Sequence, residues 1–293
     1  MTNEKPTSQI AGYVITKNEE QNIQRCLTSL LKVTKNIVVL DSESTDNTIE
    51  LAQSLGALCI VNKFENYAAQ RNVAIEKTKE IFNPNYIVTI DADEWLTNDL
   101  IEDLDSRITA NTLNQYDIYL MHRQIIFDNK TLKWGGFQKT WLPRVFRTDI
   151  ATYEPRIVNE HISIPNNTSV KKLKGFLIND DVVSWEDHIA KHNKYSSLEA
   201  KERLSLFLGS ESKISIKTAI KLPHLRRRFL RQHIWDRLPA KPALRFIQIY
   251  IVGLGILDGK AGFHRAIFEA WQEMCTDLKF QKLKALNNKS NLQ

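Results

Sequence analysis

Four short apolar runs, separated by helix-length segments, constrain this chain more than any other feature. They are Ile10–Thr16 (IAGYVIT), Ile37–Leu40 (IVVL), Ala57–Val61 and Tyr86–Ile90 (YIVTI). Each is rich in β-branched residues and bounded by polar or turn residues, which predicts strands. Between the first two, residues 20–31 carry Ile23, Leu27, Leu30 and Leu31 at helical spacing. A second helix is expected after Ser42–Asp46 and is closed by Gly56, and a third spans Asn66–Lys79. Alternating strand and helix argues for an α/β fold, a Rossmann-like mostly parallel sheet with helices on both faces. IVVL has no polar alternation, as expected of a strand buried on both sides.

In such a sheet the ligand lies outside the carboxyl ends of the strands. Here those ends are polar: Thr16-Lys17-Asn18-Glu19-Glu20, then Asp41 with Glu43, then Asn62, then Asp91, Asp93 and Glu94. Gln70-Arg71-Asn72 falls near the start of the third helix, where backbone N–H groups and an Arg favour an anion. Asp91 and Asp93 form a D-x-D motif. Two carboxylates around one small residue suit Mg²⁺ or Mn²⁺, which take carboxylate oxygens together with substrate phosphates. The plainer reading of the same acids is the N-terminus of the next helix. A carboxylate can accept a base N–H or ribose hydroxyl, and a metal beside an Arg suits a diphosphate. This inventory describes a nucleoside-diphosphate site. It lacks G-x-G-x-x-G and G-K-[ST], so it is neither a dinucleotide fingerprint nor a P-loop.

The pieces ITKNEE (Ile15–Glu20), VVLDSESTDNT (Val38–Thr48), QRN (Gln70–Asn72) and DADE (Asp91–Glu94), in that order, resemble the family 2 glycosyltransferases. The chain looks nearest the bacterial lipopolysaccharide-core β-glucosyltransferase branch. That branch also shows R-x-F-R, here Arg144–Arg147, and a late L-D-G-x-x-G, here Leu257–Gly262. The resemblance implies a GT-A fold and inverting, metal-dependent transfer of a hexose from a nucleotide sugar, with a UDP-hexose as the expected donor. It implies that Asp41 contacts the base and that Thr16, Asn18 and Glu19 hold the nucleoside. Arg71 would lie near the phosphates. Asp93, with Asp91, would bind Mg²⁺ or Mn²⁺, and Asp91 would also touch the donor. The family places a His-Glu pair after its second β region. Val158-Asn159-Glu160-His161 stands there, which makes Glu160 the expected general base and His161 a structural neighbour. Asp180 and Asp181 fall where relatives carry a His, so they are expected as metal ligands or helix caps. Arg144 and Arg147 are candidates for the acceptor or the diphosphate, although strand alternation would send them to opposite faces. Glu43 replaces a family Gly and is expected to face solvent.

After a helix near Asn98–Ile108 the pattern changes. Tyr116–Phe127 and Thr131–Phe137 read as a hairpin about Asp128-Asn129. Leu142–Arg147, Thr152–Val158 and Ser169–Ile178 read as further extended pieces. A helix is expected from Trp185 to Leu208, a turn at Gly209-Ser210, and helix again to about Leu283. The expected organisation is a lead-in over 1–9, a catalytic domain over 10–180 and a helical region over 181–293.

The charge of +6 is local. Between Lys221 and Arg245 stand eight Lys/Arg against one acid, Asp236, so the rest of the chain is slightly acidic. His224–Leu238 interleaves Arg with Leu225, Phe229, Leu230, Ile234, Trp235 and Leu238, and Phe246–Leu257 is nearly all apolar. Such a segment suits an anionic membrane surface through residues 221–257. Packing on the catalytic domain ranks second, and nucleic acid a distant third for want of any recognised motif. A lipid-linked or other saccharide acceptor of cell-envelope polysaccharide would explain the segment. The polar N-terminus and the lack of eighteen consecutive apolar residues argue against export and a transmembrane helix. Three scattered cysteines fit reduced thiols. The expected location is cytoplasmic, peripheral at the inner leaflet. Two rivals are kept: a polyprenyl-phosphate glycosyl synthase and a non-catalytic nucleotide-sugar-binding module.

Overall fold

The computed structural model describes residues 9–136, 140–154, 162, 165, 168–180, 184–208, 235 and 238–290. They fall in two compact units, one within residues 1–132 and 137–183, the other within 133–136 and 184–293.

The first unit is built on one sheet. Strands β1 (Ile10–Thr16), β2 (Ile37–Asp41), β3 (Leu58–Val61) and β4 (Tyr86–Thr89) are parallel, in the order β3-β2-β1-β4. Helices α1 (Ile23–Leu30), α2 (Thr48–Ser54) and α3 (Tyr67–Phe82) make the crossovers. Side chains alternate across each strand, so each apolar run feeds two cores. Val14, Val39, Val88 and Ile90 pack with Ile23, Leu27 and Leu30 of α1 on one face. Tyr13, Val38, Leu40 and Ile87 pack with Ala68, Ala74 and Ile75 of α3 on the other. That double coverage is why these strands read as unbroken apolar runs. Gly12 lets α1 approach closely, since a Cβ there would lie 3.1 Å from Leu30. Helix α3 starts where the sequence places it, with the Asn66 side chain accepting the Ala69 N–H at 2.9 Å.

Beyond β4 the sheet becomes mixed. Strand β5 (Glu94–Leu96) precedes helix α4 (Asn98–Thr109), followed by β6 (Ile118–Phe127), β7 (Lys130–Thr131), β8 (Trp141–Arg147), β9 (Val170–Lys172) and β10 (Leu177–Asp180). The order continues β4-β8-β6-β10-β5, with β8 antiparallel to both β4 and β6. The Asp128-Asn129 turn is present, with φ of +51° and +56°, as a tight hairpin turn demands. Its second strand is only two residues long, and Lys133–Gly136 beyond it belong to the other unit. Ser169–Ile178 is not one extended piece; Gly175, with φ of +76°, separates β9 from β10. Strand β5 is unexpected from the sequence and pairs antiparallel with β10. In the Thr152–Val158 piece, Tyr153 bridges to Ile162, and residues 155–158 lie outside the described residues.

The second unit is helical. Helix α5 (Trp185–Phe207) is capped by Ser184, whose hydroxyl accepts the Asp187 N–H. Helix α6 (Lys241–Ile247) runs through a wider turn at Gln248–Val252 and a tighter one at Gly255–Asp258 into α7 (Gly259–Ser290). Ion pairs join these helices: Arg203–Glu273 at 2.7 Å, Arg245–Glu269 at 2.9 Å, and Lys241 with Asp277. Among the described residues no single helix is long and apolar enough to cross a membrane. The expected turn at Gly209-Ser210 and the Arg-rich stretch up to Ile234 lie outside the described residues.

Candidate active site

Two loops at the carboxyl ends of β1 and β2 interlock. Thr16 and Asp41 are register partners, so the loops begin side by side. Asp41 is fully buried and accepts the Ser44 N–H at 2.7 Å and the Ser44 hydroxyl. Lys17 Nζ donates to the carbonyls of Ser42 and Glu43, at 2.6 and 2.5 Å. Asn18 Oδ1 accepts the Thr45 N–H at 2.8 Å, Glu19 Oε2 accepts Asn22 Nδ2 at 2.8 Å, and Glu20 Oε2 accepts the Asn47 N–H at 3.1 Å. Asn18 and Glu43 take the left-handed backbone, with φ of +52° and +62°. Glu43 is exposed. Burial would raise the Asp46 carboxyl, but bonds from the Thr48 hydroxyl and nearby backbone hold it below its ordinary value. Gln70 ties in the third strand end, donating to Ser42 Oγ at 3.0 Å and accepting from Asn62 Nδ2 at 2.8 Å.

The acidic edge lies just past β4. Asp91 Oδ1 accepts Arg71 Nη2 at 2.6 Å, and its Oδ2 accepts Arg144 Nη2 at 2.8 Å. The same Arg144 nitrogen reaches both oxygens of Glu94, at 2.8 and 2.7 Å. Glu94 also closes the turn: its Oε2 accepts the Asp91 N–H at 2.9 Å, while its own N–H donates to Asp91 O at 2.9 Å. Asp93 therefore sits inside a turn pinned at both ends, and its carbonyl accepts the Asp180 N–H at 3.3 Å. The Glu94 side chain is 1% exposed and that of Asp91 31%. Burial acts to raise the Asp91 carboxyl, but Arg144 and Arg71 outweigh it and hold it far below the usual carboxylate range. Burial pushes Glu94 up to about 7 against the pull of Arg144, with Asp91 and Asp93 adding to the rise. Burial, then Glu94, Asp93 and Asp91, push the Cys26 thiol well up, so it is no nucleophile.

These residues fit a hard divalent cation. The donors are oxygen-only, and Asp180, bonded through its N–H to Asp93, keeps a buried Oδ1 with no hydrogen-bond partner. Among the described residues no three or more His, Cys, Asp or Glu form a cage. The fit is thus to an open site that a substrate's phosphates would complete, the usual arrangement for Mg²⁺. Asp91 already meets a guanidinium at each oxygen.

Of the expected site residues, Thr16, Asn18, Glu19, Asp41, Asp91 and Asp93 lie on strand-end segments of the first unit, Arg71 reaches Asp91 from the start of α3, and Asp180 joins them. Arg144 comes to the same edge but grips Asp91 and Glu94. Arg147 does not: it is level with Tyr86, at the opposite end of β4, and pairs with Asp149 at 2.6 Å and Asp117 at 3.4 Å. Three residues of extended chain carry it away from Arg144 along the strand and onto the other face. Glu160, His161 and Asp181 lie outside the described residues. Tyr153 is anchored beside the site: Asn72 bonds its backbone at both N–H and carbonyl, and Arg71 lies 5.5 Å over its ring. Glu94 is the residue whose task the sequence conceals. Its acidity is visible; its burial and its bond to an Arg fifty positions away are not.

The first unit is thus an α/β sheet whose strand ends gather acids, an Arg and two interlocked polar loops. The family model for glycosyl transferase family 2 matches residues 13–167, over half of the chain. The chain belongs to that family and is a glycosyltransferase. An uncharacterized glycosyltransferase of Rickettsia felis is 30% identical over 205 residues, 66% of this chain and 69% of that one. The lipopolysaccharide core biosynthesis glycosyltransferase LpsC of Rhizobium meliloti is 25% identical over 205 residues, 68% of this chain and 73% of that one. Among solved structures, S. aureus TarS 1-349 in complex with UDP-GlcNAc shares 15% identity, covering 96% of this chain and 92% of that one at a TM-score of 0.48. The mannosyltransferase PcManGT from Pyrobaculum calidifontis, in complex with GDP-Man and Mn2+, shares 10% identity, covering 96% and 91% at a TM-score of 0.47.

Proposed function

We propose that this chain is an inverting, metal-dependent hexosyltransferase that uses a nucleotide sugar, a UDP-hexose, and a saccharide acceptor on a lipid. The observation that carries the reading is Asp91 and Asp93 beside Arg71 at the carboxyl ends of the strands. Asp41 and the Thr16–Glu19 loop, with Asn18, receive the nucleoside, and Arg71 faces the diphosphate. Asp93, assisted by Asp91, would hold Mg²⁺ or Mn²⁺. The ion's chemistry is that of a Lewis acid on the departing diphosphate. Glu160 takes the proton from the acceptor hydroxyl as that oxygen attacks the anomeric carbon from the side opposite the leaving group. The likeness to a lipopolysaccharide-core enzyme supports a cell-envelope acceptor. The basic excess between Lys221 and Arg245 supports docking at the anionic inner leaflet.

The test is release of nucleoside diphosphate across a panel of donors, with Mn²⁺ and with chelator. Turnover that chelator abolishes is expected. No release with any donor under either condition overturns the enzymatic reading and leaves a binding module. Glu160→Gln is expected to abolish transfer while donor binding survives. A mild effect would point to a phosphate acceptor, whose oxygen needs little deprotonation.

A further inference from the structure

Between α6 and α7 the chain bends by 72°. Around that bend Ile251, Val252, Leu254, Ile256 and Leu257 are all exposed, Val252 to 74%, and Phe263 and Ile267 continue the exposed apolar surface along α7. From Ile247 to Leu257 there is no charged residue. Exposed apolar side chains concentrated in one short stretch of chain are the mark of a docking surface.

The backbone inside the bend leaves no room for side chains. A Cβ on Gly262 would lie 1.9 Å from the Gly255 carbonyl oxygen, and one on Gly253 or Gly255 would lie 2.8 Å from that of Ile249. Ile249 is buried there, while Ile251, Val252, Leu254, Ile256 and Leu257 face outward. Asp258, from the L-D-G-x-x-G motif, is buried and accepts the N–H groups of Lys133 and Trp134, at 3.1 and 2.8 Å. Gly135 N–H donates to Gly253 O at 2.7 Å. These bonds fasten an exposed Trp and an exposed Lys to the base of the apolar bend, and Lys260 is exposed just beyond it.

We propose that the bend from Ile247 to Ile267 inserts into one leaflet of a lipid bilayer, with Trp134, Lys133 and Lys260 at the headgroup level. Trp and Lys suit that level because each couples an apolar body to a polar or charged tip. The two helices together have the length and apolar composition of a crossing segment, but a bend of 72° keeps them from crossing as one rod. A sharp bend presents side chains in several directions, which fluid lipid can cover and a flat protein face cannot. The inference rests on the membrane part of the proposed function and differs from it in driving force: burial of apolar surface rather than attraction between charges.

The experiment is flotation of the whole chain with vesicles of phosphatidylcholine alone and of phosphatidylcholine with phosphatidylglycerol. It is run at low salt and at about 1 M salt, where the screening length is only about 3 Å. Binding to the neutral vesicles at high salt is expected. Val252→Asp with Leu257→Asp should weaken it by at least about tenfold, since two large side chains lose their burial. Val252→Leu with Leu257→Ile should restore it, and donor hydrolysis should be unchanged in both variants. Binding that needs anionic lipid and vanishes at high salt overturns the insertion and leaves the electrostatic docking standing. No binding anywhere overturns both. Sedimentation showing a dimer that the Asp variant dissociates, with no vesicle binding, assigns the surface to a second copy and also overturns the insertion. Donor turnover, read separately, decides the glycosyltransfer reading in every case.

Discussion

Glu94 and Arg144 carry the burden of holding the D-A-D turn. Glu94 bonds both the backbone of Asp91 and the guanidinium that grips the Asp91 side chain. Removing Arg144 as Arg144→Met would leave Glu94 buried without its cation, which costs about 3–5 kcal/mol. A clear fall in the urea midpoint is expected. Glu94→Gln keeps the shape and an acceptor for the Asp91 N–H and loses only the charge-assisted part, about 1.5–3 kcal/mol. Its sharper effect should be on function: titration calorimetry should show weaker binding of UDP with Mn²⁺ than in the parent. Unchanged affinity in Glu94→Gln would show that the Glu94 charge contributes nothing to binding at the turn. At this scale the sequence was legible where a residue's position on a strand decides its task. Asp41, Asp91 and Arg71 stand where strand ends and a helix start place them. The task of Glu94 is not legible in that way, because it comes from an Arg on β8. Arg147 shared a motif with Arg144, yet strand geometry separates them.

Strand β5 shows why the parallel half was easier to read than the rest. The parallel strands are apolar on both faces and announce themselves. Glu94–Leu96 is three residues after an acid cluster, and only pairing with β10 makes it a strand. Gly175 stands at the turn just before β10. Its φ is +76°, and a Cβ there would lie 2.5 Å from the Leu100 backbone nitrogen and 2.9 Å from Thr97 Oγ1. The adjacent Phe176 N–H donates to the same Thr97 hydroxyl at 2.9 Å, docking the turn on the start of α4. Gly175→Ala should therefore destabilise the first unit by about 1–3 kcal/mol through overpacking, more if the left-handed backbone is also strained. The urea midpoint checks it. Asp117 performs a similar join between the starts of β6 and β9. It accepts the Ser169 hydroxyl at 2.7 Å and N–H at 2.8 Å, and these bonds hold its carboxyl below the ordinary value. With the folded value depressed, the unfolded chain binds more protons in acid. The contribution is present above the unfolded value of about 3.9 and is lost as pH falls through the folded one. Ser169→Ala should flatten that acid limb, measured as urea midpoint against pH from about 5 downward. A limb of unchanged slope would assign it to other carboxylates.

At the scale of the whole molecule, the two units divide the proposed work, with nucleotide chemistry in the first and membrane contact in the second. Ligands should therefore stabilise them separately. A compound that binds only the folded first unit raises its stability by RT ln(1 + [L]/Kd), about 2.7 kcal/mol at a hundredfold excess over Kd. For a unit of this size each kcal/mol moves the midpoint by roughly 2–4 °C. UDP with Mn²⁺ should thus raise one calorimetric transition by several degrees and leave the other in place. Phosphatidylcholine vesicles should do the reverse. A chain with two compact units has no obligation to melt in one step, so two transitions are the expected baseline. If UDP with Mn²⁺ moved neither transition, and GDP, ADP and CMP with Mn²⁺ failed as well, the acids past β4 would not be receiving a nucleotide. If both transitions moved together with every ligand, the two units would be one cooperative body. The separation of donor chemistry from lipid contact would then be wrong at its root.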